Sequence, residues 1–508
     1  MGQLRFQIPT TVDDRTRANL ALGYIAALPD YMPWPTSTRI DNGYYCVEKE
    51  PTESGSLYLP WPVQQPGQLD SQAVAWMKGT GHQLVTGTAT LVERTEPYHL
   101  LTELARGKVN QVRNQAADWQ GIGLALSPQL FQSLRETSLS FAHTVCQPNS
   151  QEEADRLGSH ALMTAIRTGE SLIDAYIEQV LATRKGPQGK MPFYMSCGLD
   201  HPLTGEAEEQ FLKTFNAVRI PFNWRMIEPR ESSYQWDKYD ALIAWAKQHK
   251  LQIEGGPLVD LTPTRLPAWL DQNKGDAQSL ANLFLDYLEA TLLRYKGDIA
   301  FWTIIANAHD TTQLAIDDED QIWLNAQLLA AAKQIHPDGR YCVSLSQPWA
   351  EHLARSERMY SAFVFADALL RSRVELTAIN LECAVGWSSR GSRMRDFLET
   401  SRMLDLYALF GAPLTLYIGM PSASGKSEAS YSAFEDGNPW SPEMQAAWAT
   451  RMLGLAACKP FMLSVSWLHW SDAQDHLFGH GGVVDAQGKP KPVLEALQQF
   501  REQHFRTP

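Results

Sequence analysis

The chain has 508 residues, of which 44% are hydrophobic and 20% are charged, a composition typical of a globular protein. This length predicts two domains. The formal net charge of −13 argues against a nucleic-acid partner, because such a surface needs a basic stripe. No apolar run approaches the roughly 20 residues of a membrane span, so we expect no membrane partner either.

The N-terminus and the cysteines bear on the compartment. Residues 1–7 lack the apolar stretch of a signal peptide. The six cysteines are scattered, with neither a CxxC pair nor the spacing of metal ligands. We therefore expect a cytoplasmic protein with reduced thiols, no metal and no cofactor.

The first 185 residues predict a domain of their own. Short apolar runs lie between clusters of turn-forming residues up to about residue 95, which is typical of β-strands. The runs are Leu57–Leu59, Gln83–Thr86 and Ala89–Val92. From Tyr98 to Lys185 the apolar spacing becomes helical, and the charged, Gly- and Pro-containing segment 185–190 predicts a domain boundary. A small β-sandwich with a helical segment is the expected N-terminal fold.

The stretch Phe215–Leu251 predicts one strand–helix unit. Ala217–Phe222 is apolar and partly β-branched, like a buried parallel strand. A polar loop follows, and then apolar residues recur at helical spacing from Trp236 to Ala246. Such a unit needs neighbours on both sides to bury its strand.

The chain from 190 to 503 predicts an α/β fold, a (β/α)8 TIM barrel. Eight strands alternate with helical patterns. The predicted strands are Phe193–Cys197, Ala217–Phe222, Leu251–Val259, Ala300–Ala306, Tyr341–Leu345, Ala378–Cys383, Leu414–Ile418 and Phe461–Trp467. The alternative, a doubly wound open sheet, would carry a Gly-rich phosphate loop after an early strand, and the sequence has none.

Two stretches carry a family resemblance. The first contains Arg219, Trp224 and the Glu228-Pro229 pair, followed by an aromatic-Asp pair. The second runs from Gly482 to Leu497 and contains a Lys-Pro-Lys-Pro sequence. Together they resemble glycoside hydrolase family 10, the endo-1,4-β-xylanase-like retaining enzymes. The resemblance spans roughly residues 191–501 and implies a TIM barrel that acts on carbohydrate with two carboxylates at its strand ends.

The two catalytic positions depart from the family pattern. The family's acid/base glutamate ends strand four, where this chain has Asn307, or Ala308 if one residue is inserted. Its nucleophile ends strand seven, where the alignment places Ile418, and residues 413–427 contain neither Asp nor Glu. The resemblance therefore implies no conventional retaining hydrolysis.

Other polar and aromatic residues at the predicted strand ends are candidate site residues. The acid–base candidates are Glu382, Asp310, Asp260 and His309. The candidate sugar contacts are Arg219, Asn223, Trp467, His469, Trp470 and Asp472. Glu382 leads the first group, because a strand-end carboxylate inside a barrel must be paired or functional. Trp467 leads the second as an aromatic platform, because it matches the family's position.

Three functions remain open. The first is a glycan-binding barrel that has lost hydrolysis, the second is a carbohydrate-active enzyme with relocated carboxylates around Glu382, and the third is a non-catalytic scaffold. The loss of both family carboxylates favours the first over ordinary hydrolysis. The aromatic residues near the strand ends favour a carbohydrate or sugar-like ligand over a pure scaffold.

Overall fold

The structure is a computed structural model. It describes residues 2–27, 32–63, 76–77, 82–146, 148–185, 189–310, 312–356, 360–425, 431–435, 437–473 and 476–506. Residues 186–188 of the predicted boundary lie outside these ranges. Within them, no helix combines the length and apolarity needed to cross a bilayer.

The N-terminal region contains two four-stranded sheets, in the orders β4-β5-β1-β8 and β3-β2-β6-β7. The strands are β1 (Gly2–Gln7), β2 (Tyr24–Ala27), β3 (Met32–Pro33), β4 (Thr36–Asp41), β5 (Tyr44–Lys49), β6 (Ser56–Val63), β7 (His82–Gly87) and β8 (Tyr98–His99). The predicted runs Leu57–Leu59 and Gln83–Thr86 lie inside β6 and β7. The predicted strand Ala89–Val92 is wrong: only Leu91 forms a bridge, to Gly55.

The described part of this region has four α-helices: α1 (Asp14–Asn19), α2 (Leu100–Gly121), α3 (Pro128–Cys146) and α4 (Gln151–Arg184). The helical spacing predicted between Tyr98 and Lys185 corresponds to α2, α3 and α4. The α4 helix begins where the Ser150 hydroxyl accepts a hydrogen bond from the Glu153 amide, a standard N-cap. Trp119 of α2 stacks on Tyr176 of α4, with ring centroids 4.1 Å apart. The apolar faces of the helices therefore pack against each other.

The second part is the predicted barrel, eight parallel strands closed into a ring. The strands are β10 (Tyr194–Gly198), β11 (Ala217–Ile220), the two-piece third strand β12 (Gln252–Gly255) and β13 (Val259–Asp260), β14 (Phe301–Ala306), β15 (Arg340–Ser346), β16 (Ala378–Ala384), β17 (Leu414–Gly419) and β18 (Met462–Trp467). Closure comes from the parallel pairing of β10 with β18, so the open-sheet alternative is wrong. The third strand breaks at Gly256, whose φ of +130° requires glycine.

Helices surround the ring. They are α5 (Gly205–Thr214), α6 (Trp224–Ile227), α7 (Asp237–Gln248), α8 (Ala277–Tyr295), α9 (Asp318–Ile335), α10 (Ala362–Arg371), α11 (Phe397–Ala408), α12 (Pro442–Cys458) and α13 (Pro492–His504). Short 3-10 helices span Leu20–Leu22, Ala268–Asn273 and Glu351–Arg355. A short strand pair outside the ring, β9 (Met191–Pro192) with β19 (Phe505–Arg506), joins the two ends of this part.

The barrel interior is polar. Tyr417 donates a hydrogen bond to Glu254 and lies 2.8 Å from the Thr303 hydroxyl oxygen. The Arg219 guanidinium lies 4.6 Å from the centre of the Tyr417 ring and donates to the Ser466 hydroxyl at 3.2 Å. Since strand side chains alternate, the neighbouring apolar residues face the helices, where they are fully buried.

The N-terminal region packs on the segment that leads from β16 into α11. Four consecutive residues of this segment each contact a different N-terminal element. The contacts are Val85 N to Met394 O at 2.9 Å, Arg395 Nη2 to Tyr24 Oη at 2.9 Å, Lys108 Nζ to Asp396 Oδ2 at 2.5 Å, and Phe397 N to Glu170 Oε1 at 2.9 Å. The loop that follows strand six is thus anchored at its far end.

Candidate functional site at the barrel mouth

The carboxyl ends of the eight strands form the mouth of the barrel, which is where enzymes of this fold place their sites. The structure brings five of the predicted site residues around one small cavity: Asp260, Glu382, Arg219, Asn223 and His469. A second cavity at the mouth is lined by His309 and Asp310, together with Asn307. The other three predicted residues line neither cavity.

One residue that the sequence analysis missed, Arg390, lies between the two principal carboxylates. It lies in the loop after β16. Its Nε and Nη2 donate to the two carboxylate oxygens of Glu382 at 2.8 and 2.9 Å. Its Nη1 donates to Asp260 Oδ1 at 2.9 Å and to the Thr262 hydroxyl at 2.6 Å. The sequence did contain a signal for this residue. A buried carboxylate requires a cation, and the segment after strand six is rich in arginine.

The three charged side chains are almost fully buried, with exposures of 5% for Arg390, 8% for Asp260 and 4% for Glu382. Burial raises the pKa of Glu382, and the charge of Arg390 opposes this shift. Burial alone would lower the pKa of Arg390, but Asp260 and Glu382 outweigh it and hold that pKa above its usual range. The guanidinium is therefore permanently charged, and both oxygens of Glu382 are engaged by it.

The cavity beside this ion cluster has a volume of about 80 Å³. That is room for two or three water molecules and lies well below the roughly 300–1,000 Å³ of ligand pockets. His469 lines it and stacks on His476, with ring centroids 5.3 Å apart. Burial, and then the proximity of His476 and Arg219, holds the pKa of His469 well below its usual value. This histidine is therefore neutral near pH 7.

The loops after strands six, seven and eight meet above this cavity. Side chains of these loops, together with Ala384 and Tyr417 from strands six and seven, form a separate apolar cluster, the mouth cluster. Its members are Ala384, Trp387, Tyr417, Leu468, Leu477 and Phe478, with Tyr431 packed against them. Trp387 Nε1 donates to Gly479 O at 2.8 Å, and Tyr431 N donates to Leu477 O at 2.8 Å. These contacts fill the mouth on this side with the protein's own side chains.

The second cavity, of about 310 Å³, lies on the side of strands three to five. Its lining is Leu261, Thr262, Pro263, Thr264, Asn307, His309, Asp310, Gln313, Ser346, Gln347, Ser389, Arg390 and Tyr431. Asn307 has a left-handed backbone, with φ of +54°, and its Oδ1 accepts a hydrogen bond from the Ser346 hydroxyl. Asp310 accepts from the Thr312 amide at 2.9 Å and so closes a local turn. The cavity is mostly polar, with one aromatic ring.

Trp467 does not present an open aromatic face, contrary to the sequence-based expectation. Its exposure is 1%, and its Nε1 donates to Gly481 O at 2.9 Å, because the loop after strand eight folds back over it. Trp470 packs against Phe211 of α5 at 5.6 Å, on the helix side. Asp472 pairs with Lys491 at 2.6 Å. These contacts hold the segment that follows strand eight against the barrel.

The register of strand seven also differs from the alignment used above. Tyr417 points into the barrel, where it reaches Glu254, so its neighbour Ile418 faces the helices and has 1% exposure. Tyr417, and not Ile418, is thus the inward-facing residue of this pair. Neither residue supplies a carboxylate. Within the ranges given above, no group of three or more His, Cys, Asp or Glu side chains is arranged to hold a metal ion.

Comparison with protein families finds one match that bears on the barrel. The model of glycosyl hydrolase family 10 matches residues 190–326. Endo-1,4-beta-xylanase A of Xylanibacter ruminicola is 29% identical over 87 residues, 16% of this chain and 23% of the relative. Endo-1,4-beta-xylanase 5-like of Arabidopsis thaliana is 21% identical over 184 residues, 34% of this chain and 32% of the relative. The matches thus span a third or less of these curated relatives.

Solved structures of similar proteins include native xylanase 10B from Thermotoga maritima, 15% identical, with a TM-score of 0.46 over 64% of this chain and 97% of that one. Xylanase 10B from Thermotoga petrophila RKU-1, in complex with xylobiose, is 14% identical, with a TM-score of 0.47 over 65% and 97% of the two chains. The family match begins where the barrel begins, and over residues 190–326 the second part of this chain is similar to glycosyl hydrolase family 10, xylanase-like proteins.

Proposed function

We propose that the protein is a carbohydrate-binding barrel that does not hydrolyse glycosidic bonds by the retaining mechanism. The observation that carries the proposal is the position of Arg390 between Asp260 and Glu382. A retaining glycosidase needs two carboxylates about 5–5.5 Å apart, one free to attack and one able to donate a proton. Here the principal pair of carboxylates at the mouth is engaged by one cation.

The chemistry of the individual groups supports the loss of hydrolysis. Both oxygens of Glu382 accept hydrogen bonds from Arg390, and the guanidinium charge lowers the nucleophilicity of this carboxylate. Asn307, at the family's acid/base position, has no ionisable proton to give to a leaving oxygen. Loss of general acid–base catalysis alone costs roughly 10²–10⁴-fold in rate. Loss of the nucleophile removes the covalent route as well.

The cavity of about 310 Å³ is the proposed sugar site. Its volume falls in the range of small-molecule pockets. Asn307, Gln313 and Gln347 supply amide groups, which can both donate to and accept from sugar hydroxyls. Tyr431 supplies an aromatic wall. Because the curated relatives are endo-1,4-beta-xylanases, xylose-based saccharides are the first ligands to test.

An active glycosidase with relocated carboxylates is the second candidate. Asp260 and Glu382 lie close enough to share one guanidinium, and that closeness is what such an enzyme would need. The arginine would have to leave the pair before either group could act. A non-catalytic scaffold is the remaining alternative, in which the cavity binds no sugar.

Calorimetric titration with xylose, xylobiose and xylotriose tests the binding proposal. We expect binding to the full chain that is weakened at least about tenfold by Gln313→Ala, which removes one hydrogen-bonding side chain from the cavity. Gln278→Ala, an exposed position at the start of α8, is the matched control and should bind like the unmodified chain. Absence of binding to all three saccharides would favour the scaffold.

A reducing-sugar assay on xylan tests the second half of the proposal. We expect no release above the buffer blank. Turnover that disappears in Glu382→Gln would contradict the proposal and establish the relocated-carboxylate enzyme. Turnover that survives this substitution would also contradict it, and would place the reacting groups elsewhere.

A further inference from the structure

The Arg390 side chain is bound at the barrel mouth in the way that a separate ligand would be. All three guanidinium nitrogens donate hydrogen bonds, two to Glu382 and one to both Asp260 and Thr262. Two parallel hydrogen bonds to one carboxylate are the geometry in which a guanidinium group binds a carboxylate most strongly. The acceptors come from three different segments of the barrel: the end of β13, the loop after it and β16. The receiving site is therefore built by the barrel and not by the loop that carries Arg390.

The receiving groups would repel each other without a cation. Asp260 and Glu382 are both buried, and each contributes negative charge to the surroundings of the other. Removing one partner of a buried ion cluster leaves uncompensated charge and is strongly destabilising. A cation therefore stabilises the ionised pair of carboxylates, whether or not that cation is part of the chain.

Arg390 also separates the two cavities of the mouth. Its side chain lines both the 80 Å³ cavity and the 310 Å³ cavity. Truncating the side chain would join them and leave the carboxylates facing the combined space. A small cation could then reach the pair from the larger, more accessible side.

We propose that Asp260 and Glu382 form a cation-binding site at the barrel mouth, selective for planar guanidinium-type cations, which this chain fills with its own Arg390. The site adjoins the proposed sugar cavity, which Arg390 and Thr262 also line. The arginine acts as an internal ligand that holds the mouth closed.

Rescue of Arg390→Ala by a small cation tests the proposal. The variant should lose roughly 5 °C or more in melting temperature, because two buried carboxylates lose their partner. Methylguanidinium chloride at low millimolar concentration should recover part of this loss in a concentration-dependent manner. N-methylurea, a planar neutral molecule of similar size, should recover none, and neither should sodium chloride at equal ionic strength.

Two control proteins test whether the rescue by methylguanidinium occurs at this site. The unmodified chain should gain nothing from methylguanidinium, because its site is filled. The double variant Arg390→Ala/Glu382→Gln should also gain nothing, because the forked acceptor is gone. The proposal would be overturned by equal rescue of the double variant or by equal rescue with N-methylurea. It would also be overturned if Arg390→Ala were as stable as the unmodified chain and its melting temperature did not respond to methylguanidinium.

A refolding experiment covers the case in which Arg390→Ala is recovered unfolded. Refolding yield is then compared in methylguanidinium and in N-methylurea at the same concentration. A higher yield in the cation alone supports the site. Equal yields in the two additives would overturn it.

Discussion

Lys108 of the N-terminal region and Asp396 of the barrel form a buried ion pair, with Nζ and Oδ2 2.5 Å apart and side-chain exposures of 4% and 3%. Asp396 also caps α11, since its Oδ1 accepts from the Glu399 amide at 3.0 Å. The pair therefore joins the N-terminal helices to the end of the loop that carries Arg390.

Lys108→Met should destabilise the protein by roughly 3–5 kcal/mol, because it leaves a buried carboxylate without its cation. Urea unfolding measures this loss. Hydrogen exchange should also become faster in residues 385–393, since the anchored end of their loop is released. Lys213→Met, which removes an exposed pair with Glu209, is the control and should change neither quantity appreciably. Equal effects of the two substitutions would contradict the anchoring role.

Stability should depend on pH through Glu170. This carboxylate of α4 is buried, accepts from the Trp76 indole at 2.9 Å and pairs with Arg451 at 2.9 Å. Burial raises its pKa from 4.5 to about 7, against the opposing effect of Arg451. A raised folded-state pKa adds stability that is complete below the unfolded-state value and is lost as the pH rises through about 7.

The comparison with Glu170→Gln isolates this contribution, because glutamine keeps a hydrogen-bond acceptor and does not titrate. The stability of the unmodified chain relative to the variant should fall between pH 5 and pH 8 by on the order of 3 kcal/mol. Melting temperatures across this range provide the measurement. A difference that stays constant with pH would show that Glu170 does not titrate in this interval.

Trp467→Ala should act on stability and not directly on sugar contacts. The indole is buried and hydrogen-bonded to Gly481, so its removal leaves a large cavity. The expected loss is about 3–5 kcal/mol in the free energy of unfolding. Chemical denaturation measures it, and Phe131→Ala, at an exposed aromatic on α3, is the control. A stable Trp467→Ala protein with altered saccharide affinity would restore the platform hypothesis.

We propose residues 1–185 and 190–503 as the two structural units, with a protease-sensitive boundary at 185–190. The barrel unit alone should be less stable than the full chain, because separation removes Lys108 from Asp396 and Glu170 from Arg451. Limited proteolysis locates the cut, and thermal unfolding of a chain that begins at Met191 measures the loss. An isolated barrel that melts at the temperature of the full chain would show that these contacts are dispensable.

The barrel could be predicted from sequence because its strands are buried apolar runs at regular intervals. The stretch Ala378–Cys383, for example, was found within one residue of β16. The third strand, predicted as the single run Leu251–Val259, is divided into β12 and β13 in the structure. Local pattern is sufficient for such elements, since each depends mainly on its own residues.

The site was harder to predict because it depends on contacts between distant parts of the chain. Arg390 reaches Asp260, which lies 130 positions earlier. A shift of one residue in the alignment of strand seven decides whether Tyr417 or Ile418 is predicted to face the barrel interior. The sequence has no carboxylate there that would fix this alignment. Trp467 looked accessible because a strand end is usually open, whereas here a later loop covers it.

The mouth cluster joins three loops, and this limits the length of a sugar polymer that can lie across the barrel mouth. A long β-1,4-linked polymer lying across the mouth would have to break the hydrogen bonds from Trp387 to Gly479 and from Tyr431 to Leu477. A terminal sugar can approach from the side of strands three to five without doing so. Under the proposed function, affinity should therefore level off after the first one or two sugar units, so that the protein would recognise the ends of a polysaccharide whatever its degree of polymerisation.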